Sequence, residues 1–322
     1  MRLNLEKSSP RCDLAIEAHE MIAAGRSDEF DIKGVTVESC DEGDYIKVCR
    51  VRVESEEGAT RIGKPVGEYI TIEMPARFYG QQTVYEQMCR ICAKEIQGIS
   101  EKKLEENDTV LVVGLGNRNI TADALGPKVV GSLMITRHLR KYIPDEIDEG
   151  IRPVCAIAPG VLGTTGMETE EIIHGLVDKI KPALVVVIDA LCSGKVERIN
   201  TTIQITDTGI TPGAGVGNKR KTINNDTLGI PVVAIGVPTV VDAATIAAAG
   251  LEIALKEDEN IGESAEYRYD IIRKAVEPEF GDMIVAPKDV DNIIDDISSV
   301  IANAINISMH RGITLNDIDR YV

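Results

Sequence analysis

Between residues 32 and 75 apolar and polar positions alternate. IKGVTVESCD, YIKVCRVRVESEE and EYITIEMP place Val, Ile or Tyr at about every second position, and glycine and acidic turns separate them. That period is the mark of strands with one buried face, so an antiparallel β portion is predicted. From residue 109 the period changes. VLVVGLG, PVCAIAPG, ALVVVIDA and PVVAIGVP are short continuous apolar runs, as expected of parallel strands covered on both faces by helices. The stretches between and around them, PKVVGSLMITRHL, METEEIIHGLVDKI, VVDAATIAAAGLEIAL and, earlier, QTVYEQMCRICAKEI, repeat at helical spacing. Near the end, DVDNIIDDISSVIANAINISM carries Ile293, Ile294, Ile297, Val300, Ile301 and Ile305 on one stripe, a long helix that closes the core. At the start, Ser8, Ser9 and Pro10 break any helix and predict a loose arm, after which DLAIEAHEMIAA forms a short amphipathic helix. The expected fold class is α/β, a mostly parallel sheet flanked by helices with an additional N-terminal antiparallel β portion. Residues 14–108 would form the β-rich part and residues 109–322 the parallel-sheet core of one domain.

Composition narrows the setting. A chain of 322 residues with 43% hydrophobic content can bury a large core without disulfides or metals. There is no apolar run of about 18 residues and no apolar leader in MRLNLEKSSPRCDL, so no membrane association and a cytoplasmic location are expected. Seven cysteines at irregular spacing fit a reducing compartment. Cys89 and Cys92 form a CxxC without a second ligand pair and at helical spacing, so they read as buried small hydrophobes. A net charge of −17 repels phosphate backbones, which disfavours direct nucleic-acid binding.

The glycine loops fail as nucleotide sites. Gly114 and Gly116 begin a dinucleotide fingerprint, but Asn119 stands at its third glycine position, and the next strand ends in Pro159 and Gly160 with no acid for a ribose. GATRIGKP, residues 58–65, approaches the phosphate-loop pattern, but Pro65 replaces the magnesium-binding hydroxyl and a strand-like segment follows. A turn between two strands is expected there. TDTGITPGAGVGNKR reads as a surface loop at a strand end, the kind of place that lines sites.

Two aspartates remain in matching contexts. Asp123 follows VLVVGLG just before a helix with Pro127 in its opening, and Asp189 ends ALVVVID. Ligands of open parallel sheets bind beyond the carboxyl ends of the strands. If these strands are neighbours, the two carboxyls can share one proton and serve as base and acid for attack of water on an amide. Asn117, Asp207, Gly213 and Gly215, in the loops beyond strand ends, are candidates for substrate contacts. No G-x-S-x-G or H-E-x-x-H is present, and none of His19, His138, His174 and His310 is paired in sequence. Cys192 and Ser193 stand near Asp189 without an adjacent base. Two alternatives stay open: a metal-dependent peptidase with the same aspartates as ligands, and a non-catalytic protein that binds a nucleotide or a partner.

RCDLAIEAHE, VVGLGNRNITADALGPKVV, IAPGVLGTTGMETEEI, VVVIDALCSGKVERINTTIQITDTGITPGAGVGNKR and GVPTVVDAATI together resemble the germination protease family. Their GLGN…D portion is also similar to the hydrogenase maturation proteases, which share the fold. The resemblance implies a spore endopeptidase, made as a zymogen, that removes an N-terminal propeptide and then degrades small acid-soluble spore proteins during germination. It implies an atypical aspartic protease with Asp123 and Asp189 as its pair and with no metal or other cofactor, a homotetramer, and a place in the forespore and spore core. Family cleavage favours an acid, then a hydrophobic residue, then alanine. Asp13, Leu14 and Ala15 supply that order, so residues 1–13 would be the propeptide and Asp13–Leu14 the bond cut. Pro10 departs from the acid that family substrates tend to carry three residues earlier, which implies slow processing.

Overall fold

The computed structural model describes residues 12–24, 32–75, 81–218, 220–255 and 283–318, together with residue 272. The arm with Ser8, Ser9 and Pro10 lies outside the described residues. Strands are β1 (Val35–Glu42), β2 (Ile46–Val53), β3 (Gly67–Glu73), β4 (Val110–Gly114), β5 (Val154–Ile157), β6 (Leu184–Ser193), β7 (Thr202–Thr206), β8 (Val232–Asp242) and β9 (Ile284–Val285). Helices are α1 (Ala15–Ala24), α2 (Glu56–Ile62), α3 (Gln82–Ser100), α4 (Leu125–Gly131), α5 (Arg137–Tyr142), α6 (Leu162–Thr165), α7 (Thr169–Ile180), α8 (Asn225–Leu228), α9 (Ala243–Leu255), α10 (Val290–Met309) and α11 (Leu315–Ile318).

The alternating and the continuous apolar segments meet in one sheet of order β1-β2-β3-β7-β8-β6-β4-β5, with β9 pairing β8. β5, β4, β6 and β8 are parallel, as their unbroken apolar runs require. β7 runs antiparallel to both β8 and β3 and fuses the N-terminal hairpins to the parallel part. The apolar-run pattern does not single out β7, because only Ile203 and Ile205 of TIQIT face a hydrophobic cluster while Thr202, Gln204 and Thr206 are buried on the other face.

Helices cover both faces. On one, Met88 and Ile96 of α3, Leu125 and Val129 of α4, and Ile294, Ile297, Val300, Ile301 and Ile305 of α10 pack over Val112, Val186, Ile188 and Ile235. Cys89 and Cys92 sit in this core, and burial pushes the Cys89 thiol up to about 12 and that of Cys92 well above its ordinary value. On the other, Ile173 and Val177 of α7 cover Val113, Val185 and Val187, and Leu14 and Ile16 cover Val51, Tyr69 and Leu191.

Two segments depart from expectation for local reasons. PKVVGSLMITRHL is two helices, α4 and α5. Asn306 of α10 makes the break possible by accepting from Met134 N–H at 2.9 Å and donating to Ser132 O at 3.3 Å, so the backbone freed by the break is not left unpaired. GATRIGKP is not a simple turn between strands, because its first half belongs to α2. Ser55 Oγ accepts from Gly58 N–H at 3.2 Å, and Gly63 at φ 67° closes the other end, so two caps stabilise a helix that apolar periodicity does not reveal.

α4 lies directly on β4. A Cβ on Gly114 would stand 2.1 Å from Gly126 O, and one on Gly126 would stand 2.4 Å from Leu115 O. This contact draws the connection of residues 115–124 down onto the end of the sheet. Gly114→Ala is expected to destabilise the protein by about 1–3 kcal/mol in urea unfolding, the range for overpacking a filled site. Gly131→Ala, with nothing within 4 Å of its Cβ, is expected to be neutral or slightly stabilising. Equal midpoints for the two variants would contradict the contact.

Candidate active site

β4 ends at Gly114, opposite Ile188 of β6. β6 runs on to Ser193, so Asp189 is the first residue of β6 that β4 no longer flanks. It is 6% exposed, and one of its oxygens accepts from Ala190 N–H at 2.9 Å. Asp123 reaches the same place from β4, at the end of a single 3₁₀ turn, Thr121–Asp123. Its Oδ2 accepts from Asn117 N–H at 2.8 Å. Gly116, at φ 108°, lets this turn fold back, since a Cβ there would lie 2.0 Å from Asp123 O. Thr239 holds the turn from below by donating to Ala122 O at 2.7 Å. The pairing of β6 with β8 skips Thr239, from Leu191↔Pro238 to Cys192↔Val240; such a bulge re-aims a side chain.

The neighbouring strands therefore bring the two aspartates together at the rim of a cleft of ≈ 770 Å³ that Asn117, Gly213 and Gly215 also line. Burial, then the charges of Asp123 and Asp13, hold the Asp189 carboxyl well above the usual carboxylate range. Burial also raises Asp123, opposed by the Asn117 N–H. Two such carboxyls cannot readily ionise together, so the pair titrates as a unit.

The facing wall is the chain around Asp13. Its carboxylate accepts from Cys192 N–H at 3.0 Å and from Gly215 N–H, and burial raises its pKa. Its own N–H donates to Cys192 O at 3.1 Å. Its carbonyl oxygen accepts from Lys64 Nζ at 2.8 Å, and Ala15 N–H donates to Gln204 Oε1 at 2.8 Å. Leu14 is fully buried among Val51, Tyr69 and Leu191. α1 is fastened to the chain after β6: Glu17 accepts from Ser193 Oγ and Gly194 N–H, each at 2.8 Å, and Glu20 pairs with Arg198 and Lys195, each at 2.7 Å.

Asp13, Asn117, Asp123, Asp189, Gly213 and Gly215 thus share one cleft, with Leu14 packed behind it. Asp207 stands apart, accepting from Glu68 N–H at 2.9 Å and lying 3.4 Å from Lys103 Nζ, where it ties β3 to the end of β7. Burial pushes the Cys192 thiol up to about 12, so the thiolate is scarce near neutrality. Ser193 is enclosed beside Glu17, and among the described residues no histidine lines the cleft. Among the described residues no three or more His, Cys, Asp or Glu side chains are grouped as a metal ion would need. Lys64 and Gln204 escape sequence reasoning. Lys64 is visible there only as part of a failed phosphate loop, and Gln204 only as a polar residue amid TIQIT.

A profile of the germination protease family matches residues 15–267. A germination protease of Clostridium perfringens is 48% identical over 97% of this chain and 98% of its own. That of Clostridium acetobutylicum is 47% identical over 98% and 99%, and that of Halalkalibacterium halodurans 39% identical over 99% and 98%. Among solved structures, the hydrogenase maturation protease HycI of Thermococcus kodakarensis overlaps 66% of this chain and 98% of its own at 15% identity. The TM-score of 0.32 is too low to bear on fold or function.

A carboxyl whose pKa folding raises binds its proton more tightly in the folded chain. It stabilises the fold below the ordinary aspartate range near 3.8, and that contribution is lost as pH rises through the folded value. Asp189→Asn, which cannot ionise, is expected to melt above the parent at neutral pH, with the gap closing toward pH 4. Parallel melting curves across that range would show that Asp189 is not held protonated.

Proposed function

The chain belongs to the germination protease family, and from that premise we propose that it is a self-processing zymogen with an atypical aspartic mechanism. Residues 1–13 are the propeptide and residues 14–322 the catalytic chain, with cleavage between Asp13 and Leu14. The processed enzyme then opens the degradation of small acid-soluble spore proteins in the germinating spore. One observation carries this reading: the carbonyl of Asp13 is fixed in the cleft that holds Asp123 and Asp189.

Asp123, the less buried carboxyl, acts as base. Its position is set by the Asn117 N–H, and it takes a proton from water as the water oxygen bonds to the Asp13 carbonyl carbon. Asp189 is the acid and gives its proton to the Leu14 nitrogen as the C–N bond breaks. The products are a new α-carboxyl on Asp13 and a new amine on Leu14; the carboxyl's proton passes to the amine, leaving a carboxylate and an ammonium, and the proton on Asp123 moves to Asp189 to restore the pair. Burial holds the Asp13 and Asp189 carboxyls above their ordinary range, so mild acid favours the docked arrangement with these two protonated and Asp123 left as the base.

No described helix is long and apolar enough to cross a membrane, which agrees with work in the forespore and spore core. The net charge of −17 keeps the enzyme off bare DNA while it attacks the proteins that coat it. The homotetramer follows from the family resemblance.

Incubation of the full chain in mild acid or after drying is expected to expose Leu14 as the new N-terminus by intact mass. Asp123→Asn and Asp189→Asn are each expected to stay full-length with unchanged far-ultraviolet circular dichroism. The processed parent should cut a purified small acid-soluble spore protein after acidic residues. Normal processing in either variant would remove that aspartate from the mechanism, and activity lost on exhaustive chelation would favour a metal-dependent peptidase.

A further inference from the structure

Sheet register places the wall opposite the aspartates. Asp189 of β6 pairs with Gly236 of β8, and Gly236 pairs with Gln204 of β7. Paired residues point to the same face, so Asp189 and Gln204 flank a glycine, roughly 10 Å apart at the Cα atoms given two strand spacings. The segment from Asp13 to Ala15 is held beside this row. Gln204 spans the Asp13–Leu14 link: its Nε2 lies 3.5 Å from Asp13 O, and its Oε1 accepts from Ala15 N–H at 2.8 Å.

Lys64 completes the wall from the far side. Gly63 caps α2 just before it, and Pro65 follows, with its carbonyl accepting from Tyr69 OH at 2.9 Å. Lys64 therefore extends from a stub fixed at both ends. Among the described residues it forms no ion pair within salt-bridge distance, and its Nζ donates to Asp13 O at 2.8 Å. The Asp13 carboxylate has separate anchors, the Cys192 and Gly215 N–H groups, and a Cβ on Gly215 would come within 2.1 Å of Oδ2. Carboxylate and carbonyl are thus gripped by different groups.

We propose that Lys64 is a catalytic residue whose ammonium binds the carbonyl oxygen of the bond being cut and stabilises the oxyanion formed when water adds, with Gln204 as a positioning residue that aligns the chain across that bond. This rests on the reading of Asp13–Leu14 as the scissile bond. The ammonium changes no covalent bond: it holds the oxygen while charge builds there and releases it when the C–N bond breaks. A cation fixed before reaction at the place where charge develops needs no reorganisation during it, and loss of one such donor typically lowers kcat about 10²–10³-fold.

The test follows first-order self-processing of the full chain, with Lys64→Met, Lys64→Arg and Gln204→Leu beside the parent. It also measures hydrogen-exchange protection of residues 12–17 in Asp189→Asn chains with and without each substitution. Lys64→Met is expected to process about 10²–10³-fold more slowly with protection unchanged, and Lys64→Arg to recover part of the rate. Gln204→Leu is expected to lose both rate and protection. Parental processing by Lys64→Met, or loss of protection in step with rate, would overturn the proposal, the latter because Lys64 would then only dock the segment. A parent that leaves Asp13–Leu14 intact under all conditions refutes the scissile-bond reading and the proposal with it. That outcome is read in the parent alone, before any variant.

Discussion

A carboxyl group buried beside another carboxyl is the constraint on which this architecture turns. Asp189 is buried in the sheet one residue past the end of β4, where burial and the nearby charges of Asp123 and Asp13 all oppose its ionisation. Such a group is tolerated when it keeps its proton, and a retained proton near neutrality is what an acid catalyst requires. The structure around it fixes the partner's position. Gly114 and Gly126 bring α4 into backbone contact with β4, Gly116 folds the connection back, and Thr239 props up the turn that carries Asp123. The glycines that resemble a phosphate cradle are explained by these close approaches.

The same sheet positions the Asp13–Leu14 bond, the one proposed to be cut. Its polar stripe, Asp189 and Gln204 around Gly236, lies where the N-terminal hairpins join the parallel strands through β7. The segment after Asp13 is held by its carboxylate, its carbonyl, the Ala15 N–H and the carboxylates of Glu17 and Glu20. These contacts fix the distance between bond and acid pair more closely than apolar packing of Leu14 alone, because hydrogen bonds constrain direction as well as separation. In the proposed mechanism, one set of groups serves first the chain's own N-terminal segment and then a substrate.

Much of this is legible in sequence, for identifiable reasons. Continuous apolar runs mark β4, β5, β6 and β8 because both their faces are covered, and the stripe on α10 marks its buried side. Asp123 and Asp189 stand out because each follows such a run. What escapes depends on partners distant in sequence. The break between α4 and α5 relies on Asn306, β7 hides because one of its faces is polar, and Lys64 and Gln204 acquire meaning only when the sheet register sets them beside Asp13. α2 is hidden for a local reason, since capping by Ser55 and Gly63 rather than apolar periodicity defines it.

The proposed mechanism requires Asp123 and Asp189 to titrate as one pair with the proton on Asp189. The most direct measurement is a carbon-13 nuclear magnetic resonance titration of the side-chain carboxyls in aspartate-labelled full-length chain, with the two resonances assigned by single Asn substitutions. The Asp189 carboxyl is predicted to stay protonated well above the ordinary aspartate midpoint near 3.8, and neutralising Asp123 by Asn is predicted to lower that midpoint. Two independent titrations at ordinary values, with Asp189 unaffected by the change at Asp123, would contradict it.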